Sequence, residues 1–295
     1  MDAILIAGPT ASGKSRLAVR LAQRHDGVVV NADSMQVYDA LSVVTARPAP
    51  ADMDGIEHLL YGHRPAGQPY STGEWLREAE GVLSNLRARG KLPVIVGGTG
   101  LYFEALLGGL ATMPDIPAEI RGRRRQQLHD KGAAALHEEL SHRDPATAAR
   151  LSVADGQRIA RALEVIDATG ASITALQAEK GAPLVAPQRA RRILLMPDRA
   201  RLAEQIVRRF RLMVDAGAVE EVRGLIPREL DPALPVMKAI GVRELADVLA
   251  GRSDIETAIE RASAATRRYA KRQMTWFRNR FGAGWESISA PDDIN

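Results

Sequence analysis

The most constraining feature of the sequence is the octapeptide GPTASGKS at residues 8–15, with glycines at its first and sixth positions. It follows the apolar run 3–7 and leads into a helical pattern that includes Leu17 and Leu21. Such a strand, loop and helix let backbone N–H groups converge on phosphate oxygens, with Lys14 as a point charge and the Ser15 hydroxyl available to Mg²⁺. An ordinary glycine-rich turn is the alternative. The residues expected to bind phosphate are Gly8, Pro9, Thr10, Ala11, Ser12, Gly13, Lys14 and Ser15.

Composition excludes several classes of protein. The chain has 295 residues, of which 45% are hydrophobic and 26% charged, enough for one large core or two smaller ones. It contains no cysteine, so disulfides and thiolate metal sites are excluded. No apolar run approaches the length of a membrane span, and the first residues lack the form of a signal peptide, so we expect a cytoplasmic protein. The net charge of +4 is only modest support for a polyanionic partner.

Short apolar runs alternate with helical patterns along much of the chain. The runs 3–7, 28–30, 94–96 and 192–196 predict buried strands, and helices are expected near 14–25, 73–90 and 200–217. This alternation is typical of an α/β fold, in which helices cover both faces of a parallel sheet. We therefore predict a P-loop NTPase-like parallel sheet with an inserted all-helical domain.

The insertion is predicted where the strand pattern stops. Residues 114–187 consist of successive helical patterns rich in Ala, Arg, Gln and Glu, bounded by Pro and Gly. Residues 1–113 and 188–295 would then form the α/β core, with basic helices at its C-terminal end.

Asp33 follows the second predicted strand in the sequence Asn31-Ala32-Asp33-Ser34. The carboxyl ends of parallel strands face the ligand crevice, so Asp33 is expected near the phosphates, where it could bind Mg²⁺ through water or accept a proton. A turn or helix-capping role is the alternative. The third predicted strand ends in GGTG without an acid. The absence of a Walker-B acid favours a transferase over a motor or a GTPase switch.

Arg209 lies within an apolar helical stripe formed by Leu202, Ile206, Phe210 and Met213. An inward guanidinium needs an anionic partner. A diphosphate would supply one with bidentate geometry, and a buried Asp or Glu is the alternative.

Two basic clusters suggest contact with nucleic acid. In the first, Gln157, Arg158 and Arg161 are expected on the outer face of a helix. The second is the stretch 261–281, which has seven basic residues and no acidic one, with Tyr269, Trp276 and Phe277 interleaved among the charges. Basic side chains can bind the phosphates of a nucleic acid, and aromatic side chains can stack on its bases. The combination is therefore suited to a folded RNA or a single strand. Solvated helix faces are the alternative.

Seven motifs in one order along nearly the whole chain resemble the tRNA dimethylallyltransferases, also called tRNA isopentenyltransferases. The motifs are GPTASGKS at 8–15, NADSMQVY at 31–38, TARP at 45–48, GKLPVIVGGTGLY at 90–102, QRIARALEV at 157–165, MKAIGVRE at 237–244 and YAKRQMTWFR at 269–278. The resemblance implies transfer of a dimethylallyl group from dimethylallyl diphosphate to N6 of the adenosine beside the anticodon, in tRNAs reading codons that begin with U. It also implies Mg²⁺ as cofactor, with a monomer sufficient for the site.

The same resemblance implies roles for individual residues. Asp33 is similar to the base that hydrogen-bonds the adenine N6, and Thr10 and Arg209 to the pair flanking the bridging oxygen of the diphosphate. The helical insertion is similar to a domain that binds the anticodon stem. The implied tRNA contacts are Asp33, Ser34, Met35, Gln36, Thr99, Arg121, Gln157, Arg158, Ile159, Ala160, Arg161, Lys238, Ala239, Ile240, Gly241, Val242, Arg243, Lys271, Arg272, Gln273, Met274, Thr275, Trp276, Phe277 and Arg278.

Three other functions share part of this pattern. A small-molecule P-loop kinase would use the loop and Asp33 but not the basic clusters. An enzyme that prenylates free adenine nucleotides would work without tRNA. A non-catalytic, nucleotide-regulated RNA-binding protein would need neither Asp33 nor an inward Arg209.

Overall fold

The computed structural model describes residues 1–294, which form two compact units. The first comprises residues 1–107 together with the segment from residue 184 onward, and the second comprises residues 108–183. The predicted insertion, 114–187, thus differs by a few residues at each end. The second unit begins at the glycine pair Gly108-Gly109, where Gly109 has a φ of 72°, a conformation that favours glycine.

The centre of the first unit is a parallel sheet. Its strands are β1 (Ala3–Ala7), β2 (Gly27–Asn31), β3 (His58–Leu59), β4 (Leu92–Gly97), β5 (Ala190–Leu195) and β6 (Glu286–Ile288). They lie in the order β3-β2-β4-β1-β5-β6, and every pairing is parallel. The four predicted strands are confirmed as β1, β2, β4 and β5, and the predicted α/β class is confirmed with them.

The helices of the first unit cover the sheet and extend beyond it. They are α1 (Lys14–Arg24), α2 (Thr72–Ala88), α3 (Gly100–Gly108, whose last residue begins the second unit), α8 (Arg199–Asp215), α9 (Ala218–Leu225), α10 (Val242–Leu249) and α11 (Ile255–Arg280). The three predicted helices are confirmed as α1, α2 and α8.

Side chains on alternate strand positions enter different cores. Ile4 and Ile6 of β1 pack with Leu17 and Leu21 of α1, whereas Leu5 of the same strand packs with Trp75 of α2. This two-sided burial follows from the alternation of side chains along a strand and explains why the strands read as continuous apolar runs. A third core is formed by the four helices α8, α9, α10 and α11 together with the loop after β2.

The second unit is helical. It contains α4 (Ala118–Arg143, broken at Gly132), α5 (Pro145–Ala148), α6 (Gly156–Thr169) and α7 (Ile173–Ala178). Leu136 and Leu140 of α4 pack against Ile159 and Leu163 of α6. Within residues 1–294, no helix is both long enough and apolar enough to cross a bilayer.

Candidate active site

The phosphate-binding loop connects β1 to α1. Gly13, the residue before α1, has a φ of 85°, and Ala11 has a φ of 63°. No side chain caps the first turn of α1, so its N–H groups remain available to an anion. A Cβ at Gly13 would lie 2.8 Å from the Pro291 side chain, so glycine is needed both for its conformation and for space.

Lys14 lies at the start of α1 and lines a cavity of about 270 Å³. Its Nζ donates to the carbonyl oxygen of Pro9 at 3.3 Å. Burial lowers the pKa of Lys14 to about 8; nearby Asp33 opposes this shift and nearby Arg209 adds to it. Bound phosphate would restore the charge that burial disfavours.

Asp33 lies just after the carboxyl end of β2. Its Oδ1 accepts the backbone N–H of Met35 at 2.9 Å, and the Asn31 side chain accepts the Asp33 N–H at 2.9 Å. No donor in the described part of the chain hydrogen-bonds Oδ2, and Asp33 lines a second cavity of about 420 Å³. Oδ1 therefore stabilises the turn, which is the alternative role that the sequence suggested for Asp33. Oδ2 is available to a ligand.

Arg209 projects from α8 towards the loop, as the apolar stripe predicts. Its guanidinium donates a hydrogen bond to Oγ1 of Thr10. Within residues 1–294, no carboxylate forms an ion pair with Arg209, so the alternative of a buried acidic partner is not supported. Burial lowers the pKa of Arg209 to about 10, with nearby Asp33 opposing the shift. A partly buried guanidinium without a carboxylate partner is suited to an anionic ligand.

The larger cavity brings these residues together. Its lining combines the polar side chains of Thr10, Asp33 and Arg209 with apolar side chains of α8, including Ile206 and Phe210. Arg209 also lines the cavity beside Lys14 and Ser15. The site can therefore bind a phosphorylated ligand that carries a small apolar group, because the anion-binding and apolar surfaces adjoin at Arg209.

The predicted RNA contacts of the first unit fall into three groups by exposure. Those with exposed side chains are Lys238, Arg243, Lys271, Arg272, Thr275 and Arg278. Those that are partly exposed are Asp33, Ser34, Met35, Gln36, Thr99, Ile240 and Trp276. Those that are buried are Ala239, Gly241, Val242, Gln273, Met274 and Phe277.

The residues of the buried group do not reach the surface, so RNA contact at these positions stays a prediction. Val242 and Ala239 pack in the third core, which the helices α8, α9, α10 and α11 form. Met274 packs against Leu202. Phe277 is fully buried beside the sheet. Of the aromatics predicted to stack on bases, Phe277 is therefore excluded in this conformation. Trp276 is half-buried against Gly100, where a Cβ would lie 2.1 Å from its ring.

Tyr269 lies at the larger cavity. It lines the larger cavity together with Arg272, whose guanidinium lies 5.6 Å from the centre of the Tyr269 ring. Burial raises the pKa of Tyr269 well above its usual range, and the charge of nearby Asp33 adds a smaller contribution in the same direction. The neutral ring thus provides an aromatic wall beside a cation.

In the second unit, Gln157 and Arg158 are exposed as predicted, and Arg121 is exposed as well. Ile159 and Ala160 are buried in the core of that unit, so their side chains are not available for RNA contact. Arg161 is only half-exposed and pairs with Glu164 at 3.1 Å, in contrast to the predicted outward position.

Sequence reasoning missed two supports of the site. Gln273 of α11 accepts a hydrogen bond from the backbone of the phosphate-binding loop. It lies in the buried stripe of α11 that includes Thr266, Ala270 and Phe277. The helical spacing that places Arg209 among apolar residues therefore also signals an inward Gln273. Glu221 of α9 accepts the backbone N–H groups of Ser42, Val43 and Val44 at 2.6–2.9 Å. No pattern in the sequence signals this second contact.

A metal site formed by the protein alone is not present among residues 1–294, where no three His, Cys, Asp or Glu side chains cluster suitably. The Ser15 hydroxyl beside the phosphate-binding cavity is compatible with Mg²⁺, which commonly combines one or two protein ligands with substrate phosphates and water.

The parallel sheet and its phosphate-binding loop define a protein of the P-loop NTPase-like class. Comparison with family models matches IPP transferase over residues 36–280 and isopentenyl transferase over residues 1–68. The chain therefore belongs to the IPP transferase family, and the resemblance in its motifs is confirmed.

Curated relatives align over nearly the full chain. A tRNA dimethylallyltransferase of Rhizobium meliloti is 58% identical over 294 residues, covering 100% of this chain and 97% of the relative. One from Agrobacterium fabrum is 57% identical over 287 residues, covering 97% and 96%.

Solved structures agree in fold. The tRNA isopentenylpyrophosphate transferase of Bacillus halodurans has a TM-score of 0.69 at 33% identity and covers 98% of this chain and 90% of its own. A eukaryotic dimethylallyltransferase acting on tRNA has a TM-score of 0.79 at 27% identity and covers 93% and 69%. The chain is thus a prenyltransferase by family.

Proposed function

We propose that this protein transfers the dimethylallyl group of dimethylallyl diphosphate to N6 of the adenosine beside the anticodon of tRNA and releases diphosphate. The observation that carries the proposal is the convergence of Thr10, Asp33 and Arg209 on one cavity with an apolar lining from α8. The names of the relatives supply the substrates. The restriction to tRNAs reading codons that begin with U follows the motif resemblance.

The first requirement of the reaction is stabilisation of the leaving group. The allylic C–O bond breaks and its electron pair leaves with the bridging oxygen, so negative charge develops on the diphosphate. The N–H groups at the start of α1, with Lys14 and Arg209, are placed to bind that charge. The motif resemblance puts the bridging oxygen beside Thr10 and Arg209, and the hydrogen bond that holds these two side chains together supports that role.

The second requirement is a base. As the new C–N bond forms, N6 must lose a proton, and Asp33 has a carboxylate oxygen free of protein donors among residues 1–294. The apolar side chains of Ile206 and Phe210 would surround the dimethylallyl group and limit the access of water to it.

We propose that Mg²⁺ is held by the diphosphate together with the Ser15 hydroxyl. It would neutralise part of the phosphate charge when bound.

The adenosine must leave the anticodon stack to reach this cavity, which costs a few kcal/mol. Exposed cations on α11, including Lys271, Arg272 and Arg278, are suited to offset that cost through phosphate contacts. The second unit would bind the anticodon stem through Arg121, Gln157 and Arg158. A monomer in the cytoplasm is sufficient, because one chain supplies every group of the cavity.

Label transfer tests this function. Protein with Mg²⁺ and radiolabelled dimethylallyl diphosphate is given unmodified tRNA, adenosine monophosphate or no acceptor, and the RNA is digested to nucleosides. The proposal predicts label on the adenosine of tRNA alone. Label on free nucleotide would instead identify an adenylate prenyltransferase, and ATP-dependent phosphorylation of a metabolite without label transfer would identify a kinase.

A further inference from the structure

We propose that Gln273 is a positioning residue that fixes the backbone of Thr10, and through it the Thr10–Arg209 pair, in the reactive arrangement; this inference rests on the proposed function. The resemblance placed Gln273 among the RNA contacts. The structure instead directs its side chain away from solvent and towards the phosphate-binding loop.

Both ends of the Gln273 amide have a partner. Oε1 accepts the backbone N–H of Thr10 at 2.9 Å, and Nε2 donates to the carbonyl oxygen of Gly98 at 2.9 Å. The residue is 6% exposed, so these bonds form away from competing water. The partners also fix the orientation of the amide, since the N–H of Thr10 can only donate and the carbonyl of Gly98 can only accept.

Only an amide of this length satisfies both partners at once. A carboxylate would retain the bond from Thr10 but could not donate to Gly98, and a thioether would leave both backbone groups without a partner. Glycine is needed at position 98 for this contact, because a Cβ there would lie 2.4 Å from Nε2. The requirement for glutamine at position 273 is therefore chemical, and the requirement for glycine at position 98 is steric.

The bond links separate parts of the site. Thr10 belongs to the loop after β1, Gly98 follows β4, and a Cβ at Gly98 would also lie 3.5 Å from Oδ2 of Asp33. Gln273 thus connects α11 to the ends of two strands beside the proposed base. Oε1 of Gln273 accepts the backbone N–H of Thr10 and so fixes the Thr10 backbone. The Thr10 side chain remains available to Arg209, whose guanidinium donates to Oγ1.

Amide hydrogen exchange tests the bond without reference to activity. Exchange at Thr10 would be measured by NMR in the wild type, in Gln273→Met and in Gln23→Met, a matched change at an exposed position of α1. We expect exchange at Thr10 to accelerate at least tenfold in Gln273→Met and to remain at the wild-type rate in Gln23→Met. Unchanged protection in Gln273→Met would overturn the proposal. Gln273→Glu, which keeps the acceptor, should preserve the protection and serves if the first variant does not fold.

Label-transfer kinetics test the consequence. For Gln273→Met we expect kcat to fall about 10- to 100-fold, because a small misplacement of reacting groups is costly, while the Kd for tRNA changes less than twofold. In a background of Thr10→Ala, the further loss should be much smaller than in the wild type, since both changes disable one unit.

Three results would contradict this account. The first is an unchanged kcat in Gln273→Met. The second is a further fall in kcat in the Thr10→Ala background that is as large as in the wild type. The third is weaker tRNA binding with a normal kcat, which would show that Gln273 contacts RNA. If the wild type transfers no label, the proposed function fails, and the exchange experiment alone decides the role of Gln273.

Discussion

The guanidinium of Arg209 donates a hydrogen bond to Oγ1 of Thr10, and this bond joins α8 to the phosphate-binding loop. The two residues are separated by 199 positions in the chain. Because no carboxylate forms an ion pair with Arg209 among residues 1–294, the guanidinium remains available to an anionic ligand.

Replacement of that cation should chiefly affect turnover. For Arg209→Ala we expect kcat to fall about 100- to 1000-fold, because one donor to the developing charge is lost. Arg211→Ala is the matched control, since Arg211 lies on the same helix, is half-exposed and pairs with Glu256. Steady-state label transfer measures both variants. Equal kcat values for them would remove Arg209 from the catalytic group.

Binding of dimethylallyl diphosphate should depend on the charge of Lys14. Burial lowers its pKa to about 8, so the free protein loses this positive charge as the pH rises through about 8. The substrate keeps its own charge there, because phosphate ionises near pH 6. We therefore expect affinity, measured by calorimetry without tRNA, to weaken between pH 7 and pH 9. Lys14→Arg should flatten this profile, and an equally steep profile in that variant would assign the titration to another group.

Glu221 should stabilise the segment beside the larger cavity. Its carboxylate accepts three backbone N–H groups and the Ser42 hydroxyl, and Val44 of that segment lines the cavity. Glu221→Ala should cost about 2–3 kcal/mol of unfolding free energy, because buried donors lose their acceptor. The adjacent Glu220→Ala, at an exposed pair with Arg223, should cost less than about 0.5 kcal/mol. Urea unfolding compares the two, and similar losses would contradict the anchoring role.

Asp167 should stabilise the second unit. Burial disfavours its charge, but hydrogen bonds from Arg124, Arg143 and Arg123 outweigh burial and hold the pKa of Asp167 well below its usual range. Its contribution is therefore present above about pH 4 and is lost as the pH falls through the lowered pKa. Asp167→Asn should cost about 3–5 kcal/mol at pH 7, because a buried charge cluster loses its anion. The exposed Asp130→Asn is the control in urea unfolding, and equal stability of the two variants would refute this assignment.

The sheet was predictable where strands are buried on both faces. β1, β2, β4 and β5 read as continuous apolar runs, whereas β3 and β6 have only two and three residues, include polar side chains and depend on pairing at the sheet edges. Segments this short and partly polar carry no strand pattern of their own, so the local sequence could not predict them.

Helical phase predicted the direction of one site residue correctly and failed at another, because Arg161 is half-exposed and pairs with Glu164. Arg209 was assigned inward because of its apolar neighbours, and the structure directs it to Thr10. The basic stretch and the motif resemblance both predict RNA contact for Phe277, although its spacing from Ala270 and Gln273 is that of a buried stripe. Glu221 could not be found, because its partners are backbone N–H groups of a distant loop.

Asp33 provides the most direct test of the account. Label transfer from dimethylallyl diphosphate to unmodified tRNA with Mg²⁺ would be measured for the wild type, Asp33→Asn and the exposed control Asp26→Asn, with tRNA binding measured in parallel. We predict transfer by the wild type and the control, and a loss of about 100-fold or more in Asp33→Asn with tRNA affinity retained. Wild-type turnover in Asp33→Asn would contradict its role as the base, and the absence of transfer in all three proteins would contradict the proposed function itself.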